Sequence, residues 1–288
     1  MSDASNDGKR DFLKGAAMLG MASGMLGAGA AVAPGTAMAQ MLETGIRDDS
    51  SLAKVRKAGT MRVGYSQTGP WFYKDAKTGD LGGIYKDAVD RLAKEMEVKV
   101  EYKEVTFQNA TVGLRRNDYE LYGSSLTYTM ARALVVDYVG PLWAKGSLLL
   151  VRKDSASRFK TLSDFNDPGV TFSVTAGGSE EPRIPILFPK AKLITTTGQI
   201  VLGAEPVRSK KADVWMSGDS DVLLFAKRNA DWASVFDSEH PIDKRPNTWA
   251  VRYGDYEWKH FLDFFAVFMT VNGEMERLFE KHMAVLGK

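Results

Sequence analysis

The chain has 288 residues, 44% hydrophobic and 26% charged, with 38 basic against 36 acidic side chains, three histidines and no cysteine. This is the make-up of an ordinary globular protein of about two domains, and the missing cysteine excludes disulfides, thiolate zinc sites, a cysteine nucleophile and a lipid anchored on cysteine. A formal charge of +2 gives no ground for nucleic-acid binding. His240, His260 and His282 lie far apart with no HExxH-like pair, so neither a metal site nor any other cofactor is expected.

The first forty residues read as an address. Lys9, Arg10 and Lys14 punctuate a polar start, Gly15 to Ala33 is an uncharged run of Ala, Gly, Met and Leu, and Ala37-Met38-Ala39 supplies an A-x-A end. A basic start, an apolar middle and such an end make a secretory signal cleaved after Ala39, which places the mature protein in the periplasm. Gly8-Lys9-Arg10-Asp11-Phe12-Leu13-Lys14 is similar to a twin-arginine export motif, with Lys9 where the first arginine would stand. A membrane anchor is the alternative, but the run is diluted by Gly and Ala and followed by a cleavage site. With no cysteine after that site, the exported chain should not be lipid-anchored.

In the mature chain Met61, Val63 and Tyr65 alternate like a strand, followed by turn chemistry at Gly69-Pro70 and Thr78-Gly79-Asp80. Ile84, Ala88, Leu92 and Met96 recur every four residues, with Val89 widening the stripe, which predicts a helix whose Lys86, Asp90, Lys94 and Glu97 face water. Val98, Val100 and Tyr102 alternate again, completing the strand, helix, strand grammar of a mostly parallel α/β sheet. The grammar returns with strands at 170–174, 192–195 and 212–216, a helix at 221–229 and a strand at 248–252. The C-terminus reads as two helices, with Phe261, Leu262, Phe264, Phe265, Phe268 and Met269 on one and Met275, Leu278, Phe279 and Met283 on the other, all expected to pack in the core.

The order of these elements and their motifs resembles the periplasmic solute-binding proteins of the polar amino acid type, family 3, which serve ABC importers. The resemblance covers nearly the whole mature chain. It is carried by Met61-Arg62-Val63-Gly64, Gly69-Pro70-Trp71-Phe72, Gly83-Ile84-Tyr85-Lys86-Asp87 and, most strongly, Gly123-Ser124-Ser125-Leu126-Thr127-Tyr128-Thr129-Met130-Ala131-Arg132. Val136-Asp137-Tyr138, Leu149 to Lys153, Thr161 to Phe165, Ala176-Gly177-Gly178-Ser179, Ala212-Asp213-Val214, Gly218-Asp219-Ser220 and Trp249-Ala250-Val251-Arg252 follow in order. The resemblance implies a two-lobe periplasmic binding protein type II fold, lobe two inserted in lobe one, joined by crossing segments near Arg152 and at 246–248 and closing on its solute like a hinged clam. The expected division is 1–39 for the signal, 40–152 plus 247–288 for lobe one and 153–246 for lobe two. It further implies a monomer that captures a small carboxylate-bearing solute, an amino acid above all, and delivers it to a membrane ABC permease.

An amino acid offers a carboxylate and an ammonium at fixed separation, so its receptor needs a forked cation, hydrogen-bond donors and an anion across the cleft. Where the resemblance puts the site, Arg132 follows the helix-capping Thr129 and sits beside free backbone N–H groups, an arrangement that suits a carboxylate. Ser125 and Thr127 lie just before it, and Gly178 and Ser179 open a loop from lobe two whose N–H groups can reach the same carboxylate. Asp219 is expected to meet the ammonium. The family places five residues between aspartates counted from Asp213, where this chain has six, so Ser217 and Gly218 are the alternative occupants. Relatives stack an aromatic on the solute where this chain has Thr68, and carry an aspartate where it has Tyr85. Trp71, Phe72 and Phe107 remain as candidate walls, with plain core packing the equal alternative for Trp71 and Phe72.

Residues 158–181 also resemble the cyclohexadienyl dehydratases, exported enzymes on this scaffold that act on prephenate or arogenate. In those enzymes a glutamate three residues after the second glycine serves the elimination, and Glu181 occupies that place. A carboxylic acid in a dry cleft has a raised pKa and can donate a proton to a departing hydroxyl. No P-loop and no GxSxG elbow is present, so the receptor is the leading expectation and the dehydratase its alternative.

Overall fold

The computed structural model describes residues 46–75 and 77–286; the expected export signal lies outside them. Ser50 caps α1 (Ser51–Ala58), its hydroxyl accepting the Ala53 N–H, and Gly59 ends the helix with φ 64°, a left-handed conformation that glycine adopts without a steric penalty. Then come β1 (Thr60–Tyr65), a two-stranded ribbon of β2 (Tyr73–Lys74) and β3 (Leu81–Gly82), α2 (Ile84–Glu95), β4 (Lys99–Glu104), α3 (Ala110–Arg115), β5 (Leu121–Thr127), α4 (Met130–Ala133) and β6 (Val136–Tyr138). The long strand β7 (Trp143–Arg152) leads to β8 (Thr171–Thr175), α5 (Ile184–Leu187), β9 (Lys192–Thr196), α6 (Glu205–Arg208), β10 (Val214–Gly218), α7 (Asp219–Arg228) and β11 (Ala233–Phe236). A second long strand, β12 (Ile242–Arg252), returns the chain to α8 (Tyr256–Val271) and α9 (Glu274–Leu286).

The strand order is β4-β1-β5-β12-β7-β10-β8-β9, with β6 on β12 and β11 on β7. Two parallel sets, β4-β1-β5 and β10-β8-β9, are thus joined through the antiparallel pair β12 and β7. The first half of β12 pairs with β7 and the second half with β5 and β6. Cores follow the same division. Leu52, Val63, Trp71, Val89, Trp249, Trp258 and Leu262 form one cluster and Ala110, Leu114, Tyr122 and Leu126 another. Leu149, Phe165, Phe172 and Val214 form a third, and Leu150, Val207, Trp215 and Val222 a fourth. Along β7 the packing changes from the first cluster at Trp143 to the fourth and third at Leu148 and Leu149. Arg152, near which the crossing is expected, lies at the far end of β7, ion-paired with Asp154.

The helix expected from Ile84 to Met96 forms over Ile84–Glu95, and Ile84, Tyr85, Ala88, Val89, Leu92 and Ala93 are its buried face. Such burial stabilises by roughly 1.5–3 kcal/mol per large apolar side chain. The C-terminal aromatics divide differently from expectation. Leu262, Phe265 and Met269 are buried, whereas Phe264 and Phe268 lie on the solvent side of α8, 72% and 44% exposed. Among the described residues no helix is long and apolar enough to cross a membrane.

Candidate ligand-binding site

β5 is buried along its whole length and carries Ser125 and Thr127 to the C-terminal end of the β4-β1-β5 set. Thr129 then caps α4, its hydroxyl accepting the Arg132 N–H at 3.2 Å. The guanidinium turns back over the strand end. Nη1 donates to the Thr127 carbonyl at 2.9 Å and Nη2 reaches the Gly177 carbonyl, after β8, at 2.6 Å. Arg132 takes part in none of the ion pairs recorded among the described residues, so its charge is met by carbonyl dipoles alone.

The Ser125 and Thr127 hydroxyls are held from behind by a residue the sequence did not single out. The Asn247 amide nitrogen donates to Ser125 Oγ at 2.8 Å and Thr127 Oγ1 at 3.1 Å. The Tyr85 hydroxyl donates to Asn247 Oδ1 at 2.8 Å, with the Asn247 carbonyl 3.0 Å away. Tyr85 is fully buried, which pushes its pKa well up and keeps it a donor. The tyrosine that departs from the family's aspartate thus orients the amide that orients the hydroxyls.

These groups line a narrow cavity of about 20 Å³, room for about one water molecule. Of the residues expected at the site, Thr68, Phe107, Ser125, Thr127, Arg132, Gly178 and Ser179 line it, as does Gly218, the alternative to Asp219; Lys145, Glu180 and Ile200 line it unforeseen. Four other named residues, Trp71, Phe72, Asp219 and Glu181, are not among those that line it. Trp71 and Phe72 are fully buried. Trp71 packs among Tyr85, Trp143 and Phe279 with centroids 5.0, 6.1 and 6.0 Å away, and Phe72 stacks on Tyr65 at 4.3 Å, so both are core rather than wall. Asp219 turns into the protein, where Oδ2 accepts the Gly146 N–H at 3.0 Å and Oδ1 the Ser220 N–H at 2.6 Å. Glu181 accepts the Gly177 N–H at 2.7 Å, and Glu180 is the carboxylate on the cavity wall.

Lys145 is the least expected of the lining residues. It sits on β7, 6% exposed, with Nζ 2.7 Å from Asp221 Oδ2 and 5.6 Å from the Trp71 ring centroid. The second Asp221 oxygen accepts the Thr68 hydroxyl at 2.7 Å. Burial works against the ammonium, but Asp221, Asp219 and Glu180 outweigh it and hold the Lys145 pKa above the ordinary lysine value. Glu180 Oε1 accepts the Ser179 hydroxyl at 2.9 Å and the Ser147 hydroxyl at 3.4 Å, with Arg245 3.6 Å away. Gly218 has no space for a side chain, since a Cβ there would lie 1.7 Å from Lys145 Cε. Among the described residues no cluster of His, Asp or Glu could hold a metal ion.

Residues 61–285 match the model of the bacterial extracellular solute-binding proteins, family 3. The chain is 22% identical over 225 residues to cyclohexadienyl dehydratase of Pseudomonas aeruginosa, covering 75% of this chain and 82% of that one. It is 28% identical over 149 residues to the glutamine-binding protein of Geobacillus stearothermophilus, covering 50% and 56%. Among solved structures, the ancestral amino acid-binding protein AncCDT-1, a precursor of cyclohexadienyl dehydratase, superposes with a TM-score of 0.73 at 30% identity, covering 81% of this chain and 99% of that one. A binding component of an ABC transporter from Wolinella succinogenes, complexed with lysine, gives 0.70 at 27%, covering 77% and 95%. The fold is that of the two-lobe type II periplasmic binding proteins, and the chain belongs to the bacterial extracellular solute-binding proteins of family 3.

Proposed function

We propose that the protein is an exported, monomeric receptor that captures a small carboxylate-bearing solute between two lobes and presents it to a membrane ABC permease. The lobes would be 46–143 plus 247–286 and 148–242, with β7 and β12 as the crossing segments. The observation that carries the reading is Arg132, a cation held by backbone carbonyls on both sides of the cavity and flanked by the Ser125, Thr127 and Ser179 hydroxyls. A guanidinium without a protein carboxylate, beside several donors, is chemically suited to a ligand carboxylate. Several relatives bind amino acids by name, which makes amino acids and their close acid analogues the first panel to test.

Calorimetry against that panel should show saturable binding, and Arg132→Ala should weaken it by about 2–5 kcal/mol, the usual loss when one partner of a desolvated charge pair is removed. Unchanged affinity would remove Arg132 from the site, and the absence of binding to any small carboxylate would sink the receptor. Fractionation of cells expressing the full chain should place it in the periplasm. For a dehydratase-like lyase on this scaffold the carboxylate on the cavity wall is Glu180, whereas Glu181 accepts the Gly177 N–H and does not line the cavity. Prephenate incubated with the protein is expected to yield no phenylpyruvate.

A further inference from the structure

Binding an α-amino acid requires an acceptor for its ammonium as well as donors for its carboxylate, and here neither acid that follows β10 lines the cavity, each being engaged by the protein's own donors. Both oxygens of Asp219 accept within the chain, from Gly146 and from Ser220. Both oxygens of Asp221 do too, from Thr68 and from Lys145. Gly218, which lines the cavity, contributes no side chain, and the volume one would fill is occupied by the end of Lys145: a Cβ would lie 1.7 Å from its Cε and 2.2 Å from its Nζ. The carboxylate left on the wall, Glu180, has Oε1 engaged by Ser179 and, at 3.4 Å, by Ser147, with Arg245 3.6 Å from the same oxygen; among the described residues its Oε2 accepts no hydrogen bond. The cavity therefore presents two cations, Arg132 and Lys145, against the single carboxylate of Glu180, with the hydroxyls of Thr68, Ser125, Thr127 and Ser179 between them.

We infer that Lys145 takes the place of the ligand's ammonium: the solute is a small carboxylate whose second polar group is an oxygen acceptor (keto, hydroxyl or a second carboxylate) held by Lys145, rather than a free amino acid. This rests on Arg132 as the carboxylate anchor. Placing a ligand ammonium beside the buried Lys145 ammonium would set like charges together in a medium that screens them poorly, whereas an oxygen acceptor there gains a charge-assisted hydrogen bond.

The test is calorimetry of the full-length exported protein with matched pairs: glutamate and 2-oxoglutarate, aspartate and malate, alanine and pyruvate. In at least one pair the ammonium-free acid should bind more tightly by about tenfold or more, and an amino acid that binds as well as or better than its partner in every pair overturns the inference. The two readings fail separately. Amino acid binding that is lost in Arg132→Ala keeps the carboxylate receptor and removes the role of Lys145, whereas no binding by any member removes both. The double variant Lys145→Met/Asp221→Asn discards the ion pair without leaving a buried charge. With folding verified by thermal melting, it should lose the preference for the ammonium-free acid, and a preference that persists would overturn the assignment to Lys145.

Discussion

Gly218→Ala tests the geometry on which the Lys145 assignment depends. The added methyl carbon would lie 1.7 Å from Lys145 Cε, 2.2 Å from Nζ and 2.8 Å from Asp221 Oδ2. The backbone at Gly218 has φ −56°, which alanine adopts freely, so the cost is steric. A lysine end can usually swing aside into water, but this one is 6% exposed, between the Trp71 ring and Asp221. Restoring ordinary van der Waals contact requires a shift of roughly 2 Å, given contact distances of about 3.5–4 Å between carbons, and a hydrogen bond does not survive that. Breaking the pair leaves Asp221 buried without its cation, which costs about 3–5 kcal/mol; had the lysine merely been squeezed, the cost would be about 1–3 kcal/mol. At about 2–4 °C per kcal/mol for a chain of this size, the larger loss lowers Tm by about 6–20 °C. Urea unfolding should be measured for Gly218→Ala alone and again in a Lys145→Ala/Asp221→Ala background, where the space is empty and no charge is stranded. There the same substitution should cost less than about 1 kcal/mol, the difference being the coupling between the sites. Equal costs in the two backgrounds would refute the reasoning.

Other consequences can be checked with single variants. Phe72→Ala should lower stability by about 3–5 kcal/mol while leaving ligand affinity of the folded protein within a few-fold, since Phe72 is fully buried against Tyr65 and Tyr102 and does not line the cavity. Gly177→Ala should weaken ligand binding by about tenfold or more: φ there is 72°, outside the range comfortable for alanine, and a Cβ would lie 2.9 Å from Gln108 Cα across the cleft. Asp87 is opposed by burial, but His282 and Lys281 outweigh it and hold its carboxyl below the usual value. Its contribution to stability is therefore fully present above the unfolded value near pH 4 and lost as pH falls through the lower folded value. The Tm deficit of Asp87→Asn should accordingly shrink in melts taken from pH 6 down to pH 2, and a deficit that is constant with pH would contradict the pairing.

What the sequence made legible is what depends on near neighbours in the chain. The α2 stripe shows because 3.6-residue periodicity is a local property, and Thr129 three residues before Arg132 marks the helix cap; that the guanidinium turns back onto the Thr127 and Gly177 carbonyls does not follow from that spacing. What stayed hidden depends on partners far away. Lys145 in an otherwise apolar stretch is a signal of a kind, a charge just ahead of Leu148-Leu149-Leu150, but its meaning comes from Asp221, 76 residues on. Asn247 likewise acquires its role only when β12 meets β5, 122 residues from Ser125. Trp71 and Phe72 looked equally fit for wall or core, because composition does not say which face of a turn the molecule covers. The spacing from Asp213 left Gly218 and Asp219 as alternatives, and the packing of Lys145 over Gly218 puts the glycine on the cavity and turns the aspartate inward.

The two cations also differ in where they stand. Lys145 lies in the crossing part of β7, between the Trp71 ring and Asp221 at the start of α7. Arg132 belongs to α4, after β5, and its bond to the Gly177 carbonyl, like that of Thr68 to Asp221, bridges the gap. Hydrogen bonds of this kind are worth about 0.5–1.5 kcal/mol each, more where a charge takes part, which is small against the cost of fixing two lobes. A cavity of about 20 Å³ admits a solute only if the walls part. A ligand that shifts this balance must therefore bind the closed form with several kcal/mol more than the open one. It can do so by spanning Arg132 and Lys145, which line the same cavity, and one with an acceptor at each end gains from both, whereas an ammonium at the Lys145 end would forfeit the second gain.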